Sequence, residues 1–119
     1  MKHRPVPEYI VAAVEAAEEK QAVDLVVLDL GEQSSFADYF LISSARNPRQ
    51  SQAICDEIEQ QLARAGCKTK HLEGYHQGEW ILMDYGFLIV HIFSEKARGF
   101  YDLERLWRTA RKLTREETR

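Results

Sequence analysis

Four aspartates at the ends of predicted strands come closest to a catalytic pattern in type and spacing. They are Asp24, Asp29, Asp38 and Asp84. Carboxylates that meet at strand ends can hold magnesium for phosphoryl or nucleotidyl transfer. Aspartate is also a common turn residue at strand ends, and the sequence has neither a GxxxxGKS/T loop nor a GxGxxG loop to cradle phosphates. Turn chemistry is therefore the favoured interpretation, with metal catalysis as the alternative.

The histidines, serines and cysteines form no known catalytic or metal-binding motif. Neither i, i+4 spacing nor an HExxH pattern occurs among the four histidines, which are His3, His71, His76 and His91. The apolar strand around His91 favours a hydrogen-bonded imidazole in the core or at an interface. No GxSxG elbow marks a serine nucleophile. Cys55 and Cys67 lack CxxC or metal-ligand spacing, so we expect reduced cytosolic thiols, and we predict no catalytic residue, metal or cofactor.

Large aromatic side chains are more informative than the titratable groups. Trp80 opens a predicted strand after the polar loop 74–79, and Tyr85 ends the same strand. Tyr39 and Phe40 must point to opposite faces of their strand. Protein interfaces use such aromatic residues at sheet margins as anchors. Ordinary core packing is the alternative for each of them.

Apolar residues at helical spacing predict three helices that would position these side chains. The first covers about 7–21. The second begins after Asn47, a good N-cap residue, and ends at Gly66. The third begins at about Asp102, and its apolar stripe consists of Leu103, Leu106, Trp107, Ala110 and Leu113. Its outer face is cationic, which is usually a solvated surface and alternatively an RNA contact; it comprises Arg105, Arg108, Arg111, Lys112 and Arg115.

Four short apolar runs, together with the more polar segment 68–72, predict five strands in the overall order αββαβββα. They lie at 24–30, 39–43, 68–72, 80–85 and 87–93. Gly86 is placed to turn the last two into an antiparallel hairpin. The first run is apolar on both sides, which predicts helices above and below the sheet. The sequence therefore predicts one α/β (α+β) domain in which helices flank a mixed five-stranded sheet.

Composition narrows the class of protein further. The chain has 119 residues, 45% of them apolar, with 16 basic residues against 19 acidic ones. This length and apolar content predict one domain, 1–119, with a single core. The slightly acidic balance fits a basic protein partner better than general nucleic-acid binding. No apolar run approaches the roughly 20 residues that span a bilayer, and glutamates interrupt the N-terminal stretch, so we expect a cytoplasmic protein.

Short motifs along most of the chain resemble one protein family. In order, they are Asp38-Tyr39-Phe40-Leu41-Ile42, Arg49-Gln50, Ala53-Ile54, Glu73-Gly74, Gly78, Trp80, Asp84-Tyr85-Gly86, Val90-His91-Ile92-Phe93, Phe100-Tyr101 and Leu103-Glu104-Leu106-Trp107. Together they are similar to the ribosomal silencing factor family, also called Iojap-like. The family-like core covers about 8–112 and leaves a basic C-terminal tail at 113–119.

The resemblance implies a translation factor that is not an enzyme. Such factors bind the large ribosomal subunit through ribosomal protein fourteen and block joining of the small subunit when nutrients are scarce. They resemble nucleotidyltransferases in fold and are commonly homodimeric when free. This sequence lacks the Gly-Ser and paired-Asp signature of a working nucleotidyltransferase, so the fold alone does not imply that activity. A minor contact with ribosomal RNA and the absence of a membrane partner complete the expectation.

The same resemblance points to contact residues for the large-subunit protein. They are Trp80, Tyr85, Asp84, Asp38, Tyr39 and Arg98. The chain departs from the family at Ala37, Ala45 and Phe87, where Thr, Gly and Asp are usual. Phe87 replaces a charge beside the expected contact surface. We therefore expect the aromatic residues, with Trp80 foremost, to anchor the partner.

Overall fold

A mixed six-stranded sheet forms the centre of the structure, a computed structural model that describes residues 5–119. The strands are β1 (Val23–Asp29), β2 (Tyr39–Ala45), β3 (His71–Glu73), β4 (Trp80–Asp84), β5 (Leu88–Ser94) and β6 (Arg111–Lys112). Their order across the sheet is β3-β4-β5-β2-β1-β6. Strands β2 and β5 run parallel, and the other neighbours run antiparallel. The α+β class with a mixed sheet is as predicted.

Two longer helices cover one face of this sheet, and two short helices cover part of the other. α1 (Glu8–Glu19) and α2 (Pro48–Arg64) pack on the face that we call the helix side. α3 (Glu95–Tyr101) and α4 (Leu103–Leu106) lie on the opposite face, which we call the open face. Apolar cover on both sides of β1 is thus confirmed. Because α3 and α4 are short, they leave the part of the open face formed by β4 only partly covered.

The start of α2 follows the predicted capping pattern. Asn47 Oδ1 accepts the Gln50 backbone N–H at 2.8 Å. The Gln50 side chain reaches back one residue further than a standard capping box, because its Oε1 accepts the Arg46 N–H at 2.7 Å. Its amide nitrogen also donates to the Gln21 carbonyl oxygen at 2.9 Å. One side chain therefore ties the start of α2 to the end of α1.

The predicted β4–β5 hairpin is confirmed. Gly86 has a φ of +88°, and the Tyr85 N–H donates to the Leu88 carbonyl oxygen at 2.8 Å to close the turn. In the register that follows, Trp80 lies opposite Phe93. This pairing brings the two rings together on the open face.

The predicted C-terminal helix beginning at Asp102 is wrong. The chain forms α3 before that residue, the single turn α4 after it, and then the two-residue strand β6. Asp102 has a φ of +46°, a left-handed conformation through which an α-helix does not continue. Residues predicted as one helix therefore lie in separate elements, and the sheet has six strands instead of five.

The edge of β1 explains the sixth strand. β6 pairs antiparallel with β1, and the Leu113 N–H donates to the Val27 carbonyl oxygen at 2.9 Å. These bonds satisfy backbone groups that an edge strand would otherwise leave open. The residues of the predicted apolar stripe consequently lie on different surfaces, because Leu106 is 73% exposed and Leu113 is 8% exposed.

The C-terminal segment 113–119 folds back onto the domain. Ion pairs hold it and the adjoining strand, and they are Arg115–Glu18, Arg111–Glu117 and Arg119–Glu116. The cations of this segment thus have carboxylate partners within the fold, which reduces the charge that it offers to RNA.

Asp29 joins the end of β1 to its surroundings. Its Oδ1 accepts the Gly31 N–H at 3.0 Å, and its Oδ2 lies 3.6 Å from Arg111 Nη2. The side chain is only 19% exposed. These contacts indicate that Asp29 stabilises the fold.

We expect Asp29→Ala to lower the free energy of unfolding by about 1–2 kcal/mol, because it removes the acceptor for Gly31 and one carboxylate beside Arg111. Asp29→Asn keeps an oxygen near the Gly31 N–H and should cost less than half as much. Chemical denaturation of both variants beside the wild type measures the difference. Wild-type stability of Asp29→Ala would contradict this role.

Candidate functional site

On the open face, side chains of β4 remain accessible beyond the short helices. Trp80, Leu82 and Asp84 point to this face because side chains alternate along a strand, and each is only partly buried. Ile81 and Met83 point to the helix side and have an exposure of 0%. The open face therefore presents a row of aromatic, aliphatic and acidic side chains.

Aromatic rings from two neighbouring elements surround Trp80. Its ring centroid lies 5.0 Å from that of Phe93 on β5 and 4.4 Å from that of Tyr101 on α3. Tyr101 is 49% exposed, and Phe100 beside it is 79% exposed. We call Trp80, His91, Phe93 and Tyr101 the aromatic cluster. Because the cluster is packed below and accessible above, it has the form of a preorganised binding surface.

The start of β4, which carries Trp80, is held closely by its neighbours. Gly74 has a φ of +76°, and a Cβ atom there would lie 2.0 Å from the Trp80 carbonyl oxygen. Only glycine fits this approach. On the other side, Glu79 accepts from Ser94 twice, with its carbonyl oxygen and with Oε2, each at 2.8 Å. The backbone position of Trp80 is thus fixed from both neighbouring strands.

His91 lies within the aromatic cluster and is 4% exposed. The Trp80 Nε1–H donates to His91 Nδ1 at 3.1 Å, and the Phe40 ring packs edge-to-face against the imidazole at 4.7 Å. Burial lowers the pKa of His91 to about 4, so the ring is neutral near pH 7. Since Nδ1 accepts, the single proton is on Nε2. The expected hydrogen-bonded core imidazole is confirmed.

Three of the six predicted contact residues are accessible, either on the open face or at its margin. Trp80 and Asp84 lie on the open face itself, and Asp38 is exposed just before β2. Asp84 Oδ1 accepts the Gly86 N–H at 2.7 Å, which holds the carboxylate beside the hairpin turn. Aromatic and acidic groups are therefore present together on this face.

Tyr39 and Tyr85 lie on the helix side instead. They are 5% and 1% exposed, and burial raises the pKa of Tyr85 to about 12. Trp80 and Tyr85 are thus on opposite faces of β4, as the odd spacing between them requires. Both tyrosines pack in the core beneath α1 and α2, so we assign them no direct contact with a partner.

Arg98, the sixth predicted contact, is engaged inside the fold. Its Nε and Nη2 donate to the Glu104 carboxylate at 2.9 and 3.2 Å. Its Nη1 donates to Ser44 Oγ at 3.0 Å and to the Val23 carbonyl oxygen at 3.3 Å. The side chain is 12% exposed. Arg98 therefore connects α3 and α4 to β1 and β2, and it supports the helix that carries Tyr101.

The four aspartates do not converge on a metal site. Asp84 is on the open face and Asp29 is on the helix side, and they are three strand spacings, about 14 Å, apart. Their carboxylates accept backbone N–H groups two residues on, which is turn chemistry. Within residues 5–119, no group of three or more His, Cys, Asp or Glu could hold a metal ion; His3 lies outside that range.

Three members of the aromatic cluster were not predicted as part of a site, and they are Tyr101, His91 and Phe93. Tyr101 belongs to α3, which the sequence pattern did not identify, so its place beside Trp80 could not be inferred. His91 and Phe93 are two residues apart on one strand, and this spacing places both on the same face. That alternation was the available signal for His91.

The buried histidine predicts a pH dependence of stability. The pKa of this side chain is 6.5 in the unfolded chain and about 4 in the folded protein. With respect to His91, the protein is therefore most stable above pH 6.5 and loses stability as the pH falls toward 4. Between pH 7.5 and pH 5 we expect a loss of about 2 kcal/mol from this residue. Urea denaturation of the wild type and of His91→Phe at both pH values isolates it. An equal loss in both proteins would contradict the assignment.

Among residues 5–119, no helix combines the length and the apolar character that a membrane span needs.

Comparison with known proteins places the chain in a family. Residues 3–119 match the family model described as ribosomal silencing factor during starvation. The ribosomal silencing factor of Bacillus subtilis is 40% identical over 95 residues, which are 80% of this chain and 80% of that protein.

Two further relatives extend the comparison. A crystal structure of a protein from Chromobacterium violaceum has a TM-score of 0.83 and 30% identity, over 90% of this chain and 88% of that one. A mouse protein named mitochondrial assembly of ribosomal large subunit protein 1 is 25% identical, over 75% of this chain and 40% of its own length. Since the family model spans nearly all of the sequence, this chain belongs to the ribosomal silencing factor family.

Proposed function

We propose that this protein docks on the large ribosomal subunit through the open face and keeps the small subunit from joining. The partner is ribosomal protein fourteen of the large subunit, as the family resemblance implies. One observation carries the proposal: Trp80 and Tyr101 form an accessible aromatic surface on a sheet face that the helices cover only in part. The family match supports the ribosome as the target, and the mouse relative's name refers to the large subunit.

The charge around the aromatic cluster fits a basic protein. Asp84 is on the same face as Trp80, and Glu73 lies opposite Leu82 in the β3–β4 register, so it shares that face. Glu79 is exposed directly before Trp80. An aromatic centre with acidic residues around it is complementary to an apolar patch bordered by lysine or arginine.

The size of the molecule supports a steric mechanism. Its Cα atoms extend over 41 × 32 × 25 Å. A body of even the smallest of these dimensions on the joining surface holds the two subunits too far apart for direct contact. Occupying that space needs no turnover and no cofactor. The alternative of a metal-dependent nucleotidyltransferase receives no support from the separated aspartates.

Sedimentation with separated ribosomal subunits tests this function. We expect the protein to co-migrate with the large subunit and to reduce the yield of joined ribosomes when small subunits are added. If the small subunits are added before the protein, the yield of joined ribosomes should not fall, because the small subunit already occupies the joining surface. Co-migration with the small subunit alone would contradict the proposal, and so would undiminished joining at saturating protein.

We expect Trp80→Ala to weaken binding to the large subunit by about 30-fold or more, because buried interface tryptophans typically contribute about 2 kcal/mol or more. Tyr75→Ala is the matched control. Tyr75 is an aromatic residue on the other side of the molecule, where its hydroxyl donates to Asp56 of α2 at 2.9 Å. It should bind like the wild type. Titration of labelled protein with large subunits measures both affinities.

Thermal melting and circular dichroism of the same two variants show whether they are folded. If folded Trp80→Ala binds like the wild type, Trp80 is not the anchor. If Trp80→Ala has unfolded, its loss of binding does not test docking. Trp80→Phe, which keeps a ring over Phe93, is then measured instead, and we expect its affinity for the large subunit to fall severalfold.

We also expect the free protein to self-associate through the open face, since an exposed aromatic surface on a single domain can pair with its own copy about a two-fold axis. Light scattering should give a mass that rises from the 13.8 kDa monomer toward twice that value with concentration. Added large subunits should dissociate the pair. A monomer at high micromolar concentration, or a pair that binds the subunit intact, would contradict this expectation.

A further inference from the structure

His91 is an unusual residue for its position in the sheet. It lies between apolar neighbours on the open face of β5, where Ile89 and Phe93 flank it along the strand. An apolar side chain would fill this place without a hydrogen-bonding requirement. The imidazole instead carries two nitrogens that need partners, so its presence requires an explanation beyond packing.

The hydrogen bond from Trp80 uses one of these nitrogens. Trp80 Nε1–H is the only donor on the indole, and it lies 3.1 Å from His91 Nδ1. The strand register places Trp80 opposite Phe93 and His91 opposite Leu82, so this bond runs diagonally across the β4–β5 pair. A diagonal bond fixes the side-chain rotamer of Trp80 as well as its depth on the sheet.

The second nitrogen shows that the arrangement is not the most stable one for the isolated fold. With Nδ1 accepting, Nε2 carries the proton, and this N–H is buried without a hydrogen-bond partner in the described part of the chain. Burying a donor without a hydrogen-bond partner destabilises the folded state. The fold therefore tolerates a destabilising group beside the one polar bond that orients the indole.

We propose that His91 is a positioning residue for docking: by accepting the Trp80 indole N–H, it holds the indole so that the ring face, and not the N–H, is offered to the partner. This inference rests on the proposed function. Tyr101 at 4.4 Å and Phe93 at 5.0 Å from Trp80 bound the indole, but ring contacts are less directional than a hydrogen bond and do not dictate where the indole N–H points. The His91 bond fixes that direction.

A consequence follows for the chemistry of the contact. Because the only polar atom of the Trp80 side chain is already bonded inside the fold, the partner group over the ring is apolar or presents methylene groups. Hydrogen bonds to the partner then come from other residues of the open face, with the Asp84 carboxylate foremost. If the indole rotated freely, its N–H would be exposed to the partner, and the ring would be less complementary to an apolar partner group.

Two substitutions at His91 separate positioning from packing. His91→Phe keeps a flat ring among Phe40, Trp80 and Phe93 but removes the acceptor. His91→Asn is smaller, but its amide oxygen reaches the place of Nδ1 and can accept the indole N–H. His76→Phe is the matched control, since His76 is exposed in a loop whose backbone is bonded to Gln52 of α2.

The first readout is the indole proton of Trp80 in nitrogen-15 NMR spectra of the free protein. Trp80 and Trp107 are the two tryptophans of the chain, and Trp80→Ala identifies which signal is lost. We expect the Trp80 signal to exchange slowly with solvent in the wild type and in His91→Asn. In His91→Phe it should shift and exchange at least tenfold faster. Unchanged exchange in His91→Phe would overturn the proposal.

The second readout is affinity for the large subunit, measured in a double-mutant cycle. We expect His91→Phe to weaken binding about tenfold although its melting temperature is equal to or above that of the wild type, and His91→Asn to bind more tightly than His91→Phe although it melts lower. In a Trp80→Ala background, His91→Phe should have no further effect, because it acts through the indole. Additive losses would show that His91 acts independently of Trp80 and would overturn the proposal.

These outcomes distinguish two failures. If the wild type does not bind the large subunit, the proposed function is wrong and the docking role of His91 is wrong with it. If the wild type and the His76→Phe control bind but folded His91→Phe binds equally well, the proposed function stands and only the positioning role is overturned.

Discussion

The parallel pairing of β2 and β5 at the centre of the sheet determines what the rest of the chain must do. Every residue of β2 is buried, and both strands carry apolar side chains on both faces. Both faces therefore need cover. α1 and α2 provide it on the helix side, whereas residues 95–110 have to cover the open face with two short helices. The surface that they leave uncovered, around Trp80, is the surface to which we assign docking.

Because the proposed docking surface is the outer layer of the apolar core on the open face, binding and stability would share residues. Phe93 is completely buried, Trp80 packs on it, and Arg98 connects α3 to two strands with a guanidinium that is bonded on every side chain nitrogen. Changes at such residues alter both properties together. Variants therefore have to be compared at equal stability before a loss of binding is interpreted.

The sequence was sufficient for the elements with local signals and insufficient for those that depend on distant contacts. Asn47 and Gly86 carry the conformational preferences that begin α2 and turn the hairpin, and both appear as predicted. The C-terminal helix was mispredicted because helical spacing after Asp102 says nothing about the β1 edge that captures β6. Strand alternation alone places Trp80 and Asp84 on one face. The place of Tyr101 and the burial of Arg98 depend instead on α3, whose position only the tertiary structure fixes.

Hydroxyl-radical footprinting of the protein, free and bound to isolated large subunits, tests most directly whether the open face is the docking surface. It reports the solvent access of individual aromatic side chains without substitution. Our account predicts that Trp80, Phe100 and Tyr101 lose reactivity in the complex. Tyr9, which lies on α1, and Tyr75, whose hydroxyl donates to Asp56 of α2, are on the helix side and should keep theirs. Protection of Tyr9 and Tyr75 with unchanged reactivity of Trp80 would contradict it.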